Sequence, residues 1–279
     1  FGAISIVNGM ASGKGSSLGV KLRTVCHAEL KEHGKTNIEI IGSPDEDLKL
    51  GMEAIKNVLK HYEINKSFNI KIWSQIPIGK GLKSSSAAAN AIVSATSIAL
   101  NKKLSDMKVI DLGVDAALSS NVSITGAYDD AAASYLGGLI ITDNYKRKII
   151  KRDVLDPNLK VVILVPDTKL YTKNLDKTRF QKLNHVVDQI HNLAINGKYW
   201  EAMSLNGFVY SSVFGFDSNI ILDALKNDAL GASLSGSGPS FAAICHNQNV
   251  KKICKSWKTY SENIIVTDLN SHRGGHINE

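Results

Sequence analysis

The segment P-I-G-K-G-L-K-S-S-S-A-A-A-N-A, from Pro77 to Ala91, constrains this chain more than any other part of the sequence. A strand with alternating apolar and polar residues ends just before it, and a helix of small residues follows it. Gly79 and Gly81 permit a close approach and unusual backbone dihedral angles at the junction. A helix N-terminus carries unpaired N–H groups and the positive end of the helix dipole, so this junction predicts a phosphate-binding site.

Three serines at the start of this helix, Ser84, Ser85 and Ser86, support the same interpretation. Their hydroxyls can cap the helix, bond to phosphate oxygens or bind Mg²⁺. A buried helix with a capping Ser would need only one of them. Lys80 and Lys83 add positive charge nearby, so the segment favours an anion site over a purely structural helix start.

A second cluster, S-I-T-G-A-Y-D-D-A-A-A-S-Y-L-G-G, places two adjacent carboxylates, Asp129 and Asp130, among small residues. Burying a charge is costly unless it is paired, so such a pair is unusual in a core. One carboxylate can be a general base and the other can hold a metal ion. An acid pair favoured by the dipole of a helix N-terminus explains the pattern equally well.

A third cluster, S-L-S-G-S-G-P-S, contains Gly236, Gly238 and Pro239 and predicts a tight loop before a strand. A plain turn explains this loop. A second Gly/Ser loop in a protein with an anion site also favours the interpretation that both loops line one cleft.

The opening segment N-G-M-A-S-G-K-G-S-S, from Asn8 to Ser17, resembles a P-loop but departs from its spacing. The pattern G-x-x-x-x-G-K-[ST] would place Gly at position 8 and Ser or Thr at position 15. The chain has Asn8 and Gly15 there. We therefore do not expect Lys14 to act as a P-loop lysine.

Composition and charge limit the class of protein. The 279 residues suit one large domain or two of ordinary size, and no apolar run approaches the roughly 18 residues of a membrane helix. No basic-then-apolar leader is seen, and we expect a few native residues before Phe1. Three widely spaced cysteines argue against a disulfide framework or a zinc site and are typical of a reducing cytoplasm.

The net charge of +7 suits an acidic partner, for which nucleotides, small anions and nucleic acid all qualify. The densest basic run extends from Lys146 to Asp153. It favours a solvated strand edge, where lysines also discourage aggregation. An RNA-binding patch would carry interleaved aromatic residues, and only Tyr145 borders this run.

Apolar periodicity predicts an α+β fold of two closely packed halves, with the site in the cleft between them. In the first half, N-I-E-I-I-G and S-F-N-I-K-I-W-S predict half-buried strands on either side of a helix. The apolar run Leu159–Pro166 predicts a strand buried on both faces, which opens the second half. Phe180 to Ala194 predicts an amphipathic helix. We place the two halves at residues 1–155 and 156–279.

Together these segments resemble the GHMP kinases, the family of galactokinase, homoserine kinase, mevalonate kinase and phosphomevalonate kinase. That family has A-x-G-K near the N-terminus, then P-x-x-x-G-L-x-S-S-[SA]-A, a central Asp among small residues, and a Gly-rich loop near the C-terminus. Here they are Ala11–Lys14, Pro77–Ala87, Asp129 and Ser235–Ser240, and they cover essentially the whole chain. Within the family, T-G-A-Y-D-D-A and the other segments look most like the archaeal-type shikimate kinases.

The resemblance implies the two-domain GHMP kinase fold, with a ribosomal S5 domain 2-like N-terminal half and a ferredoxin-like C-terminal half. It implies phosphoryl transfer from ATP, with Mg²⁺, to the 3-hydroxyl of shikimate. Asp129 matches the catalytic Asp, and Lys14 matches the lysine that pairs with it near the γ-phosphate. Ser85 is the implied Mg²⁺ ligand. The implied nucleotide-binding residues are Pro77, Ile78, Gly79, Lys80, Gly81, Leu82, Lys83, Ser84, Ser85, Ser86, Ala87, Gly236, Ser237 and Gly238. The partner is a small molecule, not nucleic acid or a membrane, and a homodimer is compatible with this class.

Two departures from the family pattern leave roles open. Lys83 replaces the middle Gly of the commonest G-L-G-S-S pattern, and it either reaches phosphate or points to solvent. The Glu that binds Mg²⁺ in several members falls on Leu118, so Asp115 or Asp130 would have to substitute.

The acceptor remains the least defined part of the site. The shikimate carboxylate should meet a cation, and Arg23, Arg179 and several lysines are available. Another GHMP kinase, such as a homoserine kinase, would share the ATP loop and differ only in its acceptor. A non-enzymatic RNA-binding protein with this fold would instead lose RNA affinity steeply with salt.

Overall fold

The computed structural model describes residues 1–123, 125–167, 180 and 182–275. The first half contains β1 (Gly2–Val7), β2 (Lys14–Val20), β3 (Thr24–Lys31), β4 (Asn37–Ile40), α1 (Lys49–Tyr62), β5 (Ser67–Ser74), α2 (Ser84–Ala99), α3 (Asp106–Ser119), α4 (Tyr128–Leu136), β6 (Leu139–Asp143) and β7 (Lys148–Asp153). The second half contains β8 (Leu159–Leu164), α5 (Asn184–Ile195), α6 (Tyr199–Phe214), α7 (Asn219–Lys226), β9 (Gly231–Leu234), β10 (Phe241–His246), α8 (Val250–Trp257) and β11 (Ile264–Asp268).

The first half is built from two sheets and four helices. One sheet is antiparallel with the order β1-β2-β6-β7, and the other has the order β3-β5-β4. Alternating apolar residues on β5 (Phe68, Ile70 and Ile72) face a hydrophobic cluster that also takes in buried residues of α1–α4. This confirms the strands and the helix that the apolar pattern predicts here. The basic run ends in β7, an edge strand, as the composition favours.

In the part of the second half that the structure describes, one antiparallel sheet has the order β11-β8-β10-β9. β8 and β9 are parallel to each other and separated by β10, which pairs with both. This is the split βαβ arrangement of a ferredoxin-like sheet, so the expectation for this half is confirmed. The apolar run that opens it forms β8, in which Val161 to Leu164 are fully buried, as predicted.

The two halves share one hydrophobic core. A single cluster of buried residues includes Ile4 and Leu18 of the first half together with Val162 and Ala243 of the second. The chain also returns after β11, where Val20 bridges to Leu269. The division at residues 155 and 156 stays a prediction, because apolar contacts cross it. Of the described helices, none is both long and apolar enough to cross a membrane.

Candidate active site

A cleft brings the predicted site segments of both halves together. The predicted residues that line it are Ile78, Gly79, Gly81, Lys83, Ser84, Ser85, Ser86, Asp129, Gly236 and Ser237. The other predicted residues are not part of this lining, namely Pro77, Lys80, Leu82, Ala87, Gly238 and Lys14. Leu82 and Ala87 are buried in the shared core, and Lys80 Nζ donates to the carbonyl of Pro166. Leu82, Ala87 and Lys80 therefore hold the loop that contains Gly79 and Gly81 in place.

The first turn of α2 forms one wall of the cleft. No side chain caps this helix, and all three serines of its first turn, Ser84–Ser86, line the cleft. An uncapped first turn offers its N–H groups and the positive end of the helix dipole to an anion. Gly81 has a φ of +78°, and a Cβ added to it would lie 2.1 Å from the carbonyl oxygen of Ser235. Only glycine fits this close approach of the two loops.

The loop between β9 and β10 is held against the first half by hydrogen bonds. The N–H of Gly236 donates to Ser5 Oγ at 3.0 Å, and Asn8 Nδ2 donates to the Gly236 carbonyl at 2.8 Å. Ser235 Oγ donates to the Gly81 carbonyl at 2.8 Å. The expectation that both Gly/Ser loops line one cleft is therefore confirmed.

Asp129 lies in the first turn of α4 and is 4% exposed. Asn144 Nδ2 donates to Asp129 Oδ1 at 2.9 Å, and Ser17 Oγ lies 3.0 Å from Asp129 Oδ2. Burial raises the pKa of Asp129 to about 7, and the neighbouring Asp130 carboxylate adds to the rise. Lys83, Asn144 and Ser17 act in the opposite direction. A carboxylate that titrates near neutral pH is suited to act as a general base.

Lys83 is the cation beside the two carboxylates. Its Nζ lies 3.1 Å from Asp130 Oδ1 and 2.8 Å from Ser5 Oγ, and its side chain is 8% exposed. Of the two roles left open by the sequence, the solvent-exposed one is excluded. The acid pair lies in the first turn of a helix and also lines the cleft, so the structure agrees with the helix-dipole interpretation. The roles of general base and metal ligand stay predictions.

The predicted pairing of Lys14 with Asp129 is wrong. Lys14 Nζ forms its ion pair with Asp188 of α5 at 3.1 Å. The reason is the alternation of side chains along β2. Gly15 faces Asp129, since a Cβ added to Gly15 would lie 2.5 Å from its carboxyl carbon, and Ser17 contacts the same carboxylate. Lys14 therefore projects from the opposite face of the strand.

Sequence reasoning missed the residues that position Asp129. Asn144 holds the aspartate by two contacts, because its Oδ1 also accepts from the Asp129 N–H at 3.0 Å. Thr142 Oγ1 donates to the same Oδ1 at 2.6 Å and fixes the orientation of the amide. The one available signal was the change from apolar residues to T-D-N at the end of the segment L-G-G-L-I-I-T-D-N.

The sequence offered Asp115 or Asp130 for metal binding and Arg23 or Arg179 for the acceptor carboxylate. Asp115 pairs with Arg147 at 2.6 Å and does not line the cleft, whereas Asp130 does. Among the described residues, no group of three or more His, Cys, Asp or Glu side chains could hold a metal ion. Arg23 is exposed and outside the cleft lining. Arg179 lies outside the described residues.

This chain is similar to known proteins in both sequence and fold. Residues 49–138 match the GHMP kinases N terminal domain, and residues 201–263 match the GHMP kinases C terminal domain. The shikimate kinase of Methanothermobacter thermautotrophicus is 38% identical over 97% of this chain and 94% of its own length. The shikimate kinase of Methanosarcina acetivorans is 39% identical over 97% and 92%.

A solved homoserine kinase from Cytophaga hutchinsonii has the same fold, with a TM-score of 0.76 at 20% identity, over 97% of this chain and 94% of that one. At this low sequence identity, the structural similarity shows the fold alone. The two domain matches follow the same N- to C-terminal order as the family motifs that line the cleft, and the relatives cover nearly the whole chain. The chain belongs to the GHMP kinase family, and the two curated relatives named above are shikimate kinases.

Proposed function

We propose that this protein is a shikimate kinase that transfers the γ-phosphoryl group of ATP to the 3-hydroxyl of shikimate. The observation that carries the proposal is the identity of 38–39% to shikimate kinases over 97% of the chain. The fold does not select the acceptor, because a homoserine kinase and mevalonate kinases share it.

Asp129 is the proposed general base. It accepts the proton of the acceptor hydroxyl as that oxygen forms a bond to the γ-phosphorus. The bond from phosphorus to the bridging oxygen breaks, and ADP leaves with the electron pair. Asn144 and Ser17 bond to both oxygens of the carboxylate, so the base is fixed before the substrate arrives.

The start of α2 is the proposed phosphate site. Ser84–Ser86 present N–H groups and hydroxyls on one side of the cleft, and Gly236 and Ser237 line the other. Ile78, Gly79 and Gly81 complete the wall. The remaining residues of the motif keep this loop in place through the core contacts described above.

Mg²⁺ is the proposed metal, and Ser85 would hold it. Mg²⁺ in kinases keeps several waters and substrate phosphates as ligands, so it needs few protein oxygens. A hydroxyl at the phosphate end of the cleft fits this demand, and the lack of an acidic cluster among the described residues does not oppose it. When bound, the ion neutralises negative charge on the phosphate oxygens.

The role of Lys14 rests on its motif alone. Its ammonium is paired with Asp188 on the far face of β2, with a side chain that is 41% exposed. Acting on the γ-phosphate would require it to leave this partner and cross the plane of the sheet.

The acceptor is tested by coupling ADP release to a spectroscopic assay with Mg-ATP and shikimate, homoserine, mevalonate or galactose. We expect acceptor-dependent turnover with shikimate, because relatives with 38% and 39% identity over 97% of this chain are shikimate kinases. A reaction without acceptor corrects for ATP hydrolysis. Turnover with another acceptor alone would keep the kinase and discard shikimate as its substrate.

Activity should rise with pH through about 7. A carboxylate that holds a proton cannot accept another, and burial raises the pKa of Asp129 to about 7. We therefore expect kcat/KM to fall as the pH decreases from about 8 to 6, with a slope that indicates one proton. The measurement is the pH–rate profile at constant ionic strength. A profile that is flat over this range would argue against Asp129 as the base.

A further inference from the structure

Lys83 occupies a backbone conformation that glycine adopts more easily. Its φ of +64° and ψ of +31° lie in the left-handed region, where a side chain costs free energy. The commonest family pattern has Gly at this position. A residue held in an unfavourable backbone conformation directs attention to what its side chain does.

The Lys83 ammonium joins three segments of the cleft. It contacts Asp130 at the start of α4 and Ser5 on β1, at 3.1 and 2.8 Å. A Cβ added to Gly236 would lie 3.0 Å from the same nitrogen, so the loop of the second half also packs against it. A buried charge requires such partners, and they fix the position of the ammonium.

One N–H of this ammonium remains for a ligand. Lysine has three donors, and Asp130 and Ser5 take two of them. In the described ranges Nζ has no further hydrogen-bond acceptor or ion-pair partner. Lys83 precedes Ser84–Ser86 directly and lines the cleft with them and with Asp129. Lys83 therefore shares the cleft with the proposed phosphate site and with the proposed base.

The charges of the lining support the same role. Its described carboxylates are Glu46, Asp47, Asp129 and Asp130, and Lys83 is the only lysine or arginine that the described lining contains. A triphosphate that enters this acidic cleft needs a cation close to the carboxylates, because like charges at short range are unfavourable.

We propose that Lys83, and not Lys14, is the catalytic lysine of this protein and donates a hydrogen bond to the γ-phosphoryl group during transfer. The inference rests on the proposed kinase function. While the acceptor oxygen bonds to phosphorus and the bond to ADP breaks, the ammonium neutralises charge on the transferring oxygens. The acceptor proton goes to Asp129. Asp130 and Ser5 hold the ammonium for this step.

The test compares nucleotides with and without the γ-phosphate. Binding of ADP and of the non-hydrolysable analogue AMP-PNP, each with Mg²⁺ and without acceptor, is measured by calorimetry. In Lys83→Met and Lys83→Gly we expect AMP-PNP affinity to fall about 10- to 100-fold and ADP affinity to change much less. Lys83→Arg should recover part of the loss. Glycine adopts the backbone conformation of residue 83 easily, so Lys83→Gly removes the ammonium without destabilising the fold through backbone strain.

Two comparison variants make the outcome decisive. Lys56→Met removes an exposed ion-paired lysine of α1, outside the cleft lining, and should bind both nucleotides normally. Lys14→Met should not show the γ-phosphate-dependent loss. An equal loss of ADP and AMP-PNP in the Lys83 variants would overturn the proposal, as would a loss specific to AMP-PNP in Lys14→Met alone. Because no acceptor is present, the result stands even if shikimate is not turned over.

Discussion

Asp129→Asn is expected to lower kcat by about 10²- to 10⁴-fold, the range that general base catalysis contributes. The asparagine keeps the size of the side chain. Its Oδ1 can accept from Asn144 Nδ2, and its Nδ2 can donate to Ser17 Oγ, whose own proton can go to Asp130 Oδ1. The asparagine cannot accept the acceptor proton. Nucleotide affinity should stay close to that of the unchanged protein, because Asp129 is not among the residues proposed to bind the phosphates. Steady-state kinetics and calorimetry with ADP measure the two effects separately.

The matched control is Asp228→Asn. Asp228 forms an exposed ion pair with Lys252, far from the cleft lining, so its loss should leave kcat unchanged. If Asp129→Asn retained most of its activity while Asp130→Asn did not, the base would be the second aspartate. If neither change reduced turnover, the acid pair would have no role in proton transfer.

Gly15→Ala is expected to lower kcat on the order of 100-fold, although it removes no chemical group from the site. The new Cβ would lie 2.5–2.6 Å from the carbon and both oxygens of the Asp129 carboxyl. The carboxyl must move by roughly 1 Å to reach ordinary contact distance, and a displacement of that size is enough to cost about 10²-fold in rate. Kinetics of the variant, together with its thermal unfolding, would check this expectation.

Gly275→Ala is the control for this substitution. A Cβ at Gly275 has no heavy atom within 4 Å, and neither glycine requires a positive φ. Both variants therefore add one methyl group to a backbone that accepts it, and only one of them meets Asp129. Near-normal activity of Gly15→Ala with a normal melting temperature would show that the base tolerates displacement, which would weaken the case for a preorganised carboxylate.

The sequence was sufficient for elements with a clear apolar period. β5 alternates apolar and polar residues, and β8 is continuously apolar, so both were predicted. β1 and β2 were not. Both segments are almost wholly buried, and K-G-S-S-L-G-V of β2 is rich in Gly and Ser, whereas G-A-I-S-I-V of β1 is mostly apolar. Small polar residues that pack in a core look like loop residues when only the sequence is known.

That omission explains the error at the site. The motifs identified two loops and an aspartate that the structure brings together in one cleft, because glycines, serines and paired acids have few reasons to occur together. Which lysine meets the carboxylates depends on the face of β2 from which each side chain projects. Because no strand was predicted at Lys14–Val20, the face from which each side chain projects could not be assigned. Lys83 lies next to the carboxylates in a left-handed backbone conformation, which a lysine in the sequence does not suggest.

The segment after β11 returns to the first half, so part of the first half can complete its contacts only after this segment has been synthesised. The Asn270 carbonyl accepts from the N–H of Gly138 at 2.7 Å, and the N–H of Gly274 donates to the Tyr135 carbonyl at 2.6 Å. These contacts close the corner between α4, which carries Asp129, and β6. A ribosome releases the first half long before residue 274, and domains fold from the N-terminus as they emerge. The helix that bears Asp129 therefore gains these contacts only after residue 274 has emerged from the ribosome.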